Sequence, residues 1–127
     1  MCGISLIYHN GGLTPDPAVI ARMNRALQHR GPDAHEVLCR GAVGLGHTRL
    51  SIVDIEGGAQ PMLTPDAQWA IIFNGEIYNY RELRTELEQQ GVVFVTRSDT
   101  EVVLHLVQRE GAKSGAAFAR HVCLRRA

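Results

Sequence analysis

An α+β domain is what this sequence predicts, on three observations. Short apolar runs bounded by Gly, Pro and Asn, such as GISLIY and WAIIFN, read as strands. Three longer segments carry 3.6-residue apolar spacing together with helix start and stop signals. The two kinds of element mix along the chain without strict βαβ alternation, which argues against a doubly wound parallel sheet.

Each element has its own warrant. GISLIY is ended by HNGG, so it reads as a buried strand followed by a turn. In TPDPAVIARMNRALQHRG, Asp16 can cap and Pro17 suits a first helical turn. Val19, Ile20, Met23, Ala26 and Leu27 share one face of that helix, which should stop near His29 because Gly31-Pro32 cannot continue it. HEVLCRGAVGLGHTRLSIVD reads as two strands around Gly41. GGAQPMLTPDAQ reads as a connection with a turn near Pro65-Asp66. WAIIFNGEIYN is a strand running into a tight turn at Asn74-Gly75. YRELRTELEQQG is an amphipathic helix with Leu83 and Leu87 at i,i+4 and Gly91 as its stop. VVFVTRSD is expected to be a strand, and TEVVLHLVQREG a last helix with Val102, Val103, Leu106 and Val107 apolar.

The 127 residues fit one domain or a large part of one, and 45% apolar content supplies a core. Thirteen basic residues balance thirteen acidic ones, so no electrostatic footprint for nucleic acid or an anionic membrane is present. No stretch is apolar for the length of a membrane span, and the N-terminus lacks the regions of a signal peptide. A cytoplasmic location is expected. Cys2, Cys39 and Cys123 have no CxxC spacing, so neither a disulfide framework nor a zinc site is indicated. The six histidines lack metal-ligand spacing, and most are expected at the surface or in loops.

Four places carry candidate chemistry. If Met1 is removed, Cys2 carries both a thiol and a free α-amine. A free thiol titrates near ~8.5 and an α-amine near ~7.7–8.0, so the amine can take the thiol proton near neutral pH. Taken alone, a Cys at position 2 also serves as an ordinary small residue. Attack on an amide carbonyl creates an oxyanion that needs preorganised donors. The side-chain amide of Asn74 and the backbone N–H of Gly75 are the right chemical types, although Asn-Gly is also a plain turn. Arg49 can grip a carboxylate in two parallel bonds. Asp99, with Glu76, can pair with an ammonium group; Asp99 is also a ready N-cap for a helix starting at Thr100. Thiol, oxyanion donors, carboxylate grip and ammonium partner together describe an amino acid with a side-chain amide, such as glutamine.

MCGI, HRGPD, GHTRLSIVD, QPM, FNGEIYNY and SDTE occur in this order. The sequence from Met1 to about Gly111 resembles the N-terminal glutaminase domain of glutamine-hydrolysing asparagine synthetases. That is a class II glutamine amidotransferase domain of the N-terminal-nucleophile hydrolase type. The resemblance implies a four-layer αββα sandwich, incomplete at the C-terminus. It implies catalysis by Cys2 with Asn74 and Gly75, and substrate binding by Arg49, Leu50, Ile52, Asn74, Gly75, Glu76 and Asp99. The His29–Asp33 loop would lie near the pocket and help to close it. The glutaminase half needs no cofactor or metal. ATP and magnesium would belong to a synthetase domain or partner that accepts the ammonia and makes asparagine from aspartate, and that half is absent here. Two alternatives stay open: a non-catalytic remnant, and the glutaminase half of a different amide-forming amidotransferase.

The expected division is a partial amidotransferase domain over 1–113 and an atypical tail over 114–127. The family's usual next segment resembles Gly-Met-Phe-Ala-Phe-Ala-Val, an inner strand. One wobble-compatible codon choice for the tail's RHVCLRRA, read one base further on, encodes that segment. The tail is therefore expected to be an out-of-frame reading of it, with the shift between Lys113 and Ala119. A sandwich lacking its later strands exposes unpaired edges and apolar faces, so weak or no turnover is expected of the chain alone.

Overall fold

A computed structural model describes residues 1–51, 57–111 and, for the backbone, 122–126. It is α+β, as the mixed order of elements predicts. Three strands form one antiparallel sheet in the order β1-β3-β2: β1 (Gly3–Tyr8), β2 (Ala34–Arg40) and β3 (Val43–Arg49). A second antiparallel sheet has the order β4-β5-β6: β4 (Met62–Leu63), β5 (Trp69–Phe73) and β6 (Val122–Arg126). The helices are α1 (Pro17–Ala26), α2 (Tyr80–Gln89) and α3 (Asp99–Glu110). Among the described residues no helix is long and apolar enough to cross a membrane.

Register in the first sheet pairs Gly3 with Thr48 and Tyr8 with Val43, while Ala34 pairs with Arg49 on the other side. One face of this sheet carries α1. The helix starts as its sequence requires: Asp16 caps it by accepting from the Ala18 N–H at 2.8 Å, and Pro17 opens it. The approach to β3 is close. A Cβ at Gly46 would lie 2.4 Å from Asn24 Oδ1 and 2.6 Å from Ile20 Cγ2, so only glycine admits the helix here. Asn24 is buried with Ile20, whereas Ala26, expected on the buried face, is exposed. The polar residue is tolerated because its bonds are made: Oδ1 accepts from Ser5 Oγ at 2.9 Å and Nδ2 donates to Glu36 O at 2.9 Å. The helix gives way after Ala26 to a 3-10 turn at Gln28–Arg30, just before Gly31-Pro32.

The opposite face of β3 meets the second sheet. Leu45 is buried with Ala70 and Ile72, and Ile4, Leu38 and Val43 pack around them. Alternation along β5 turns Ile71 and Phe73 the other way, into a cluster with Met62, Ile77, Val103, Leu104 and Val107. That cluster seats α3, and Tyr80 and Leu83 from α2 pack on its margin. α2 ends as expected, with Gly91 in the left-handed region (φ 87°) just past it.

Two local expectations need correction. The VVFVTRSD segment is not a strand. Its alternation is real, since Phe94 turns inward while Val93 and Val95 are 79% and 81% exposed. Its backbone, however, bonds elsewhere: the Glu101 carboxylate accepts from the N–H of Val95 at 2.8 Å and of Thr96 at 2.6 Å. Phe94 packs edge-on against His105, with ring centroids 5.0 Å apart, and lies 4.4 Å beneath the Arg84 guanidinium. The second correction is β4, a two-residue strand inside the segment read as a connection; the turn predicted beside it does form, with Ala67 N–H bonding Thr64 O at 2.8 Å. Most of the described histidines are exposed or half-buried, as expected, while His47 and His105 are buried. In the 114–127 tail, residues 122–126 form β6 against β5. The expected frame shift between Lys113 and Ala119 lies outside the described residues.

Candidate active site

Antiparallel pairing of β1 with β3 decides where Cys2 sits. With Gly3 opposite Thr48, the residue before Gly3 falls beside the residues that follow Thr48. Accordingly the Leu50 N–H donates to Cys2 Sγ at 3.4 Å, and Sγ lies 3.8 Å from Leu50 O. Arg30 Nε fixes the same end of β1 by donating to Cys2 O at 3.1 Å.

Cys2 borders a cavity of about 290 Å³. That is at the small end of the ~300–1,000 Å³ range of ligand pockets, a size for a small metabolite. Of the residues singled out in the sequence, Cys2, Arg49, Leu50, Asn74, Gly75, Glu76 and Asp99 all line it. Ile52 lies outside the described residues. The His29–Asp33 loop lies beside the cavity, as expected, without lining it. It braces the β1 and β3 ends through Arg30 and through Asp33 Oδ2, which accepts from the Ser51 N–H at 2.7 Å.

The other side of the cavity is built where β5 ends. Phe73 is buried, and the chain bends through Asn74 and Gly75 toward α2. The chain only bends at Gly75 and no strand follows before α2, so the tight turn expected at Asn74-Gly75 does not form. Gly75 is required sterically: an added Cβ would lie 2.7 Å from Phe73 Cζ and 2.9 Å from Cε2. Asp99 is not the cap of α3. Ser98 takes that role, its Oγ accepting from the Thr100 N–H at 3.2 Å. Asp99 is thereby free of capping, and its Oδ2 accepts from the Ile77 N–H at 3.2 Å. Charges are arranged with Arg49, 8% exposed, on the first sheet and Glu76 and Asp99 on the second side.

Sequence reasoning assigned no role to Gln60, Phe73, Ser98 and Thr100, which also line the cavity. Gln60 stood inside the QPM motif, but its partners are 13 and 40 residues away, out of reach of any local pattern. Below the site lies His47, 1% exposed, with Nε2 lacking a hydrogen-bond partner among the described residues. Burial pushes its pKa down to about 4; the Arg49 charge acts in the same sense, and a hydrogen bond to the Phe73 backbone opposes both.

The arrangement offers a thiol, an amide with an adjacent bend, a cation and two carboxylates around a small cavity. Residues 1–119 match the family described as glutamine amidotransferase domain. The chain is 44% identical over 126 residues to asparagine synthetase (glutamine-hydrolyzing) 1 of Bacillus subtilis (strain 168), covering 94% of this chain and 20% of that protein. It is 38% identical over 112 residues to a probable asparagine synthetase (glutamine-hydrolyzing) of Schizosaccharomyces pombe, covering 87% of this chain and 20% of that one. The same identity and length hold for asparagine synthetase (glutamine-hydrolyzing) 1 of Lotus japonicus, of which the chain covers 19%. The chain spans about a fifth of the length of these curated relatives.

Proposed function

The chain belongs to the glutamine amidotransferase domain family, and on that premise we propose that it hydrolyses the side-chain amide of glutamine to glutamate and ammonia, with Cys2 as nucleophile. The observation that carries this reading is the convergence of Cys2, Arg49, Asn74, Gly75, Glu76 and Asp99 on one small cavity from separate parts of the chain.

Removal of Met1 frees the Cys2 α-amine. That amine takes the thiol proton, and Sγ attacks the amide carbonyl. The oxyanion receives hydrogen bonds from the Asn74 side chain and the Gly75 N–H. The carbon–nitrogen bond then breaks as the α-ammonium returns its proton to the leaving nitrogen. Ammonia departs and a thioester remains. Water attacks the thioester, its proton passes to the amine, and glutamate and the free thiol are released. Arg49 grips the α-carboxylate, Asp99 and Glu76 hold the α-ammonium, and Leu50 lines the site.

The ammonia serves a synthetase domain or partner that uses ATP and magnesium to convert aspartate to asparagine. The names of the relatives support that destination. The packing of α1, two facing sheets and α3 supports a four-layer αββα sandwich. A reduced thiol nucleophile suits a cytoplasmic setting.

The test is intact mass and peptide mapping of the purified chain after treatment with the six-carbon diazo-ketone 6-diazo-5-oxo-norleucine. Loss of Met1 and a single adduct on Cys2, absent in Cys2→Ala, is the expected result. Retained Met1, or soluble protein without an adduct, would overturn the reading.

A further inference from the structure

Gln60 is 7% exposed, and its side-chain amide makes two bonds in opposite directions. Oε1 accepts from the Phe73 N–H at 2.5 Å, and Nε2 donates to Thr100 Oγ1 at 3.2 Å. Phe73 immediately precedes Asn74 and Gly75. Thr100 immediately follows Asp99 in the first turn of α3. One planar side chain therefore spans from the peptide that leads into the oxyanion donors to the turn that carries the ammonium-binding carboxylate. Both bonds are buried, so neither end is exchanged for water without cost.

We propose that Gln60 is a positioning residue and a length gauge for the substrate: by holding the β5 end and the α3 start at a set separation, it selects an amino acid with two methylenes between its α-carbon and its amide. This rests on the glutaminase reading above. The oxyanion donors engage one end of the substrate and Asp99 engages the other. A substrate shorter by one methylene, such as asparagine, cannot satisfy both ends at the separation Gln60 sets. Misplacement of a reacting centre by about 1 Å costs ~10²-fold in rate, so a strap that fixes this distance acts on selectivity more than on affinity. Ser98 acts only within the first turn of α3, and the Ile77–Asp99 bond ties the chain two residues beyond Gly75 to that turn, whereas Gln60 holds the peptide on the β5 side of the oxyanion donors.

The experiment compares Cys2 alkylation by the six-carbon diazo-ketone with alkylation by its five-carbon homologue, 5-diazo-4-oxo-norvaline. In each case Sγ bonds to the diazo carbon, dinitrogen leaves, and the thiol proton goes to that carbon. The wild-type chain should prefer the six-carbon reagent. Gln60→Leu breaks both bonds and should lower that preference at least ~10-fold. Thr100→Val breaks only the Nε2 bond and should lower it in the same direction, by at least a third of the logarithmic effect. A general loosening of the fold slows both reagents alike and leaves the ratio in place. An unchanged ratio in a folded Gln60→Leu overturns the proposal while the glutaminase reading stands. If Gln60→Leu does not fold by circular dichroism, the ratio in Thr100→Val decides alone. A wild-type chain that neither reagent labels removes the glutaminase reading, and the role of Gln60 with it.

Discussion

His47 couples the stability of this fold to pH, and the size of the coupling can be worked from its surroundings. The ring is 1% exposed, sits between the two sheets on the Leu45 face of β3, and leaves Nε2 without a partner among the described residues. Its pKa falls from 6.5 to about 4, chiefly through burial. The folded state therefore holds a neutral imidazole at pH values where the unfolded chain takes up a proton. His47 contributes its full share of stability above 6.5, and that share is lost as pH falls from 6.5 toward about 4. At ~1.36 kcal/mol for each pH unit between those two values, the loss is about 3 kcal/mol, a large part of the ~5–15 kcal/mol that holds a domain together. His47→Gln keeps a polar side chain but cannot titrate in this range. Urea unfolding of both proteins between about pH 7 and about pH 4.5 isolates the effect, because carboxylate titrations common to both cancel in the difference. The wild type should lose stability relative to the variant by up to ~1.4 kcal/mol per pH unit within that window. A flat difference, or a His47 ring resonance that titrates at its ordinary position by NMR, would refute the reasoning.

Two further substitutions probe the site and its support. Gly75→Ala places a methyl 2.7 Å from the Phe73 ring, inside a cluster seated on α3. It should cost ~1–3 kcal/mol and slow Cys2 labelling at least tenfold, as read by the mass-shift assay; wild-type labelling by a folded variant contradicts the steric role. Glu101→Gln removes the charge that holds the Val95 and Thr96 amides and the Thr96 hydroxyl. Urea unfolding should show a loss of ~1.5–3 kcal/mol, and an unchanged midpoint would mean that the 92–98 segment does not depend on this carboxylate.

Much of the architecture was legible because its causes are local. Asp16-Pro17 starts α1 and Gly91 ends α2, since capping and left-handed backbone depend on only a few neighbouring residues. The strands GISLIY and WAIIF followed from unbroken apolar character, and the turn at Gly41 from a residue that tolerates φ 51°. The VVFVTRSD segment failed for a nonlocal reason. Its alternation suits a strand, but a strand needs a ladder partner, and here the Glu101 carboxylate takes two of its N–H groups. Asn24 was missed similarly: its burial depends on Ser5 and on the Glu36 carbonyl, which belong to other elements.

The sequence by itself determined which chemistry is present: a thiol directly behind Met1, Asn74-Gly75 at a strand end, Arg49, and the carboxylates of Glu76 and Asp99. Six ordered motifs also carried the resemblance to the glutaminase family, and the match of residues 1–119 to the amidotransferase family agrees with it. Only the tertiary structure decided distances. Cys2 meets Leu50 across 48 residues because β1 runs antiparallel to β3 in one register. Ser98 rather than Asp99 caps α3, so Asp99 bonds the Ile77 amide beside the cavity. Gln60 joins Phe73 to Thr100, a connection with no local signature because a hydrogen bond between segments records only where folding brings them. Residue type follows from the chain one position at a time, whereas separation in space depends on every register and packing angle between two segments.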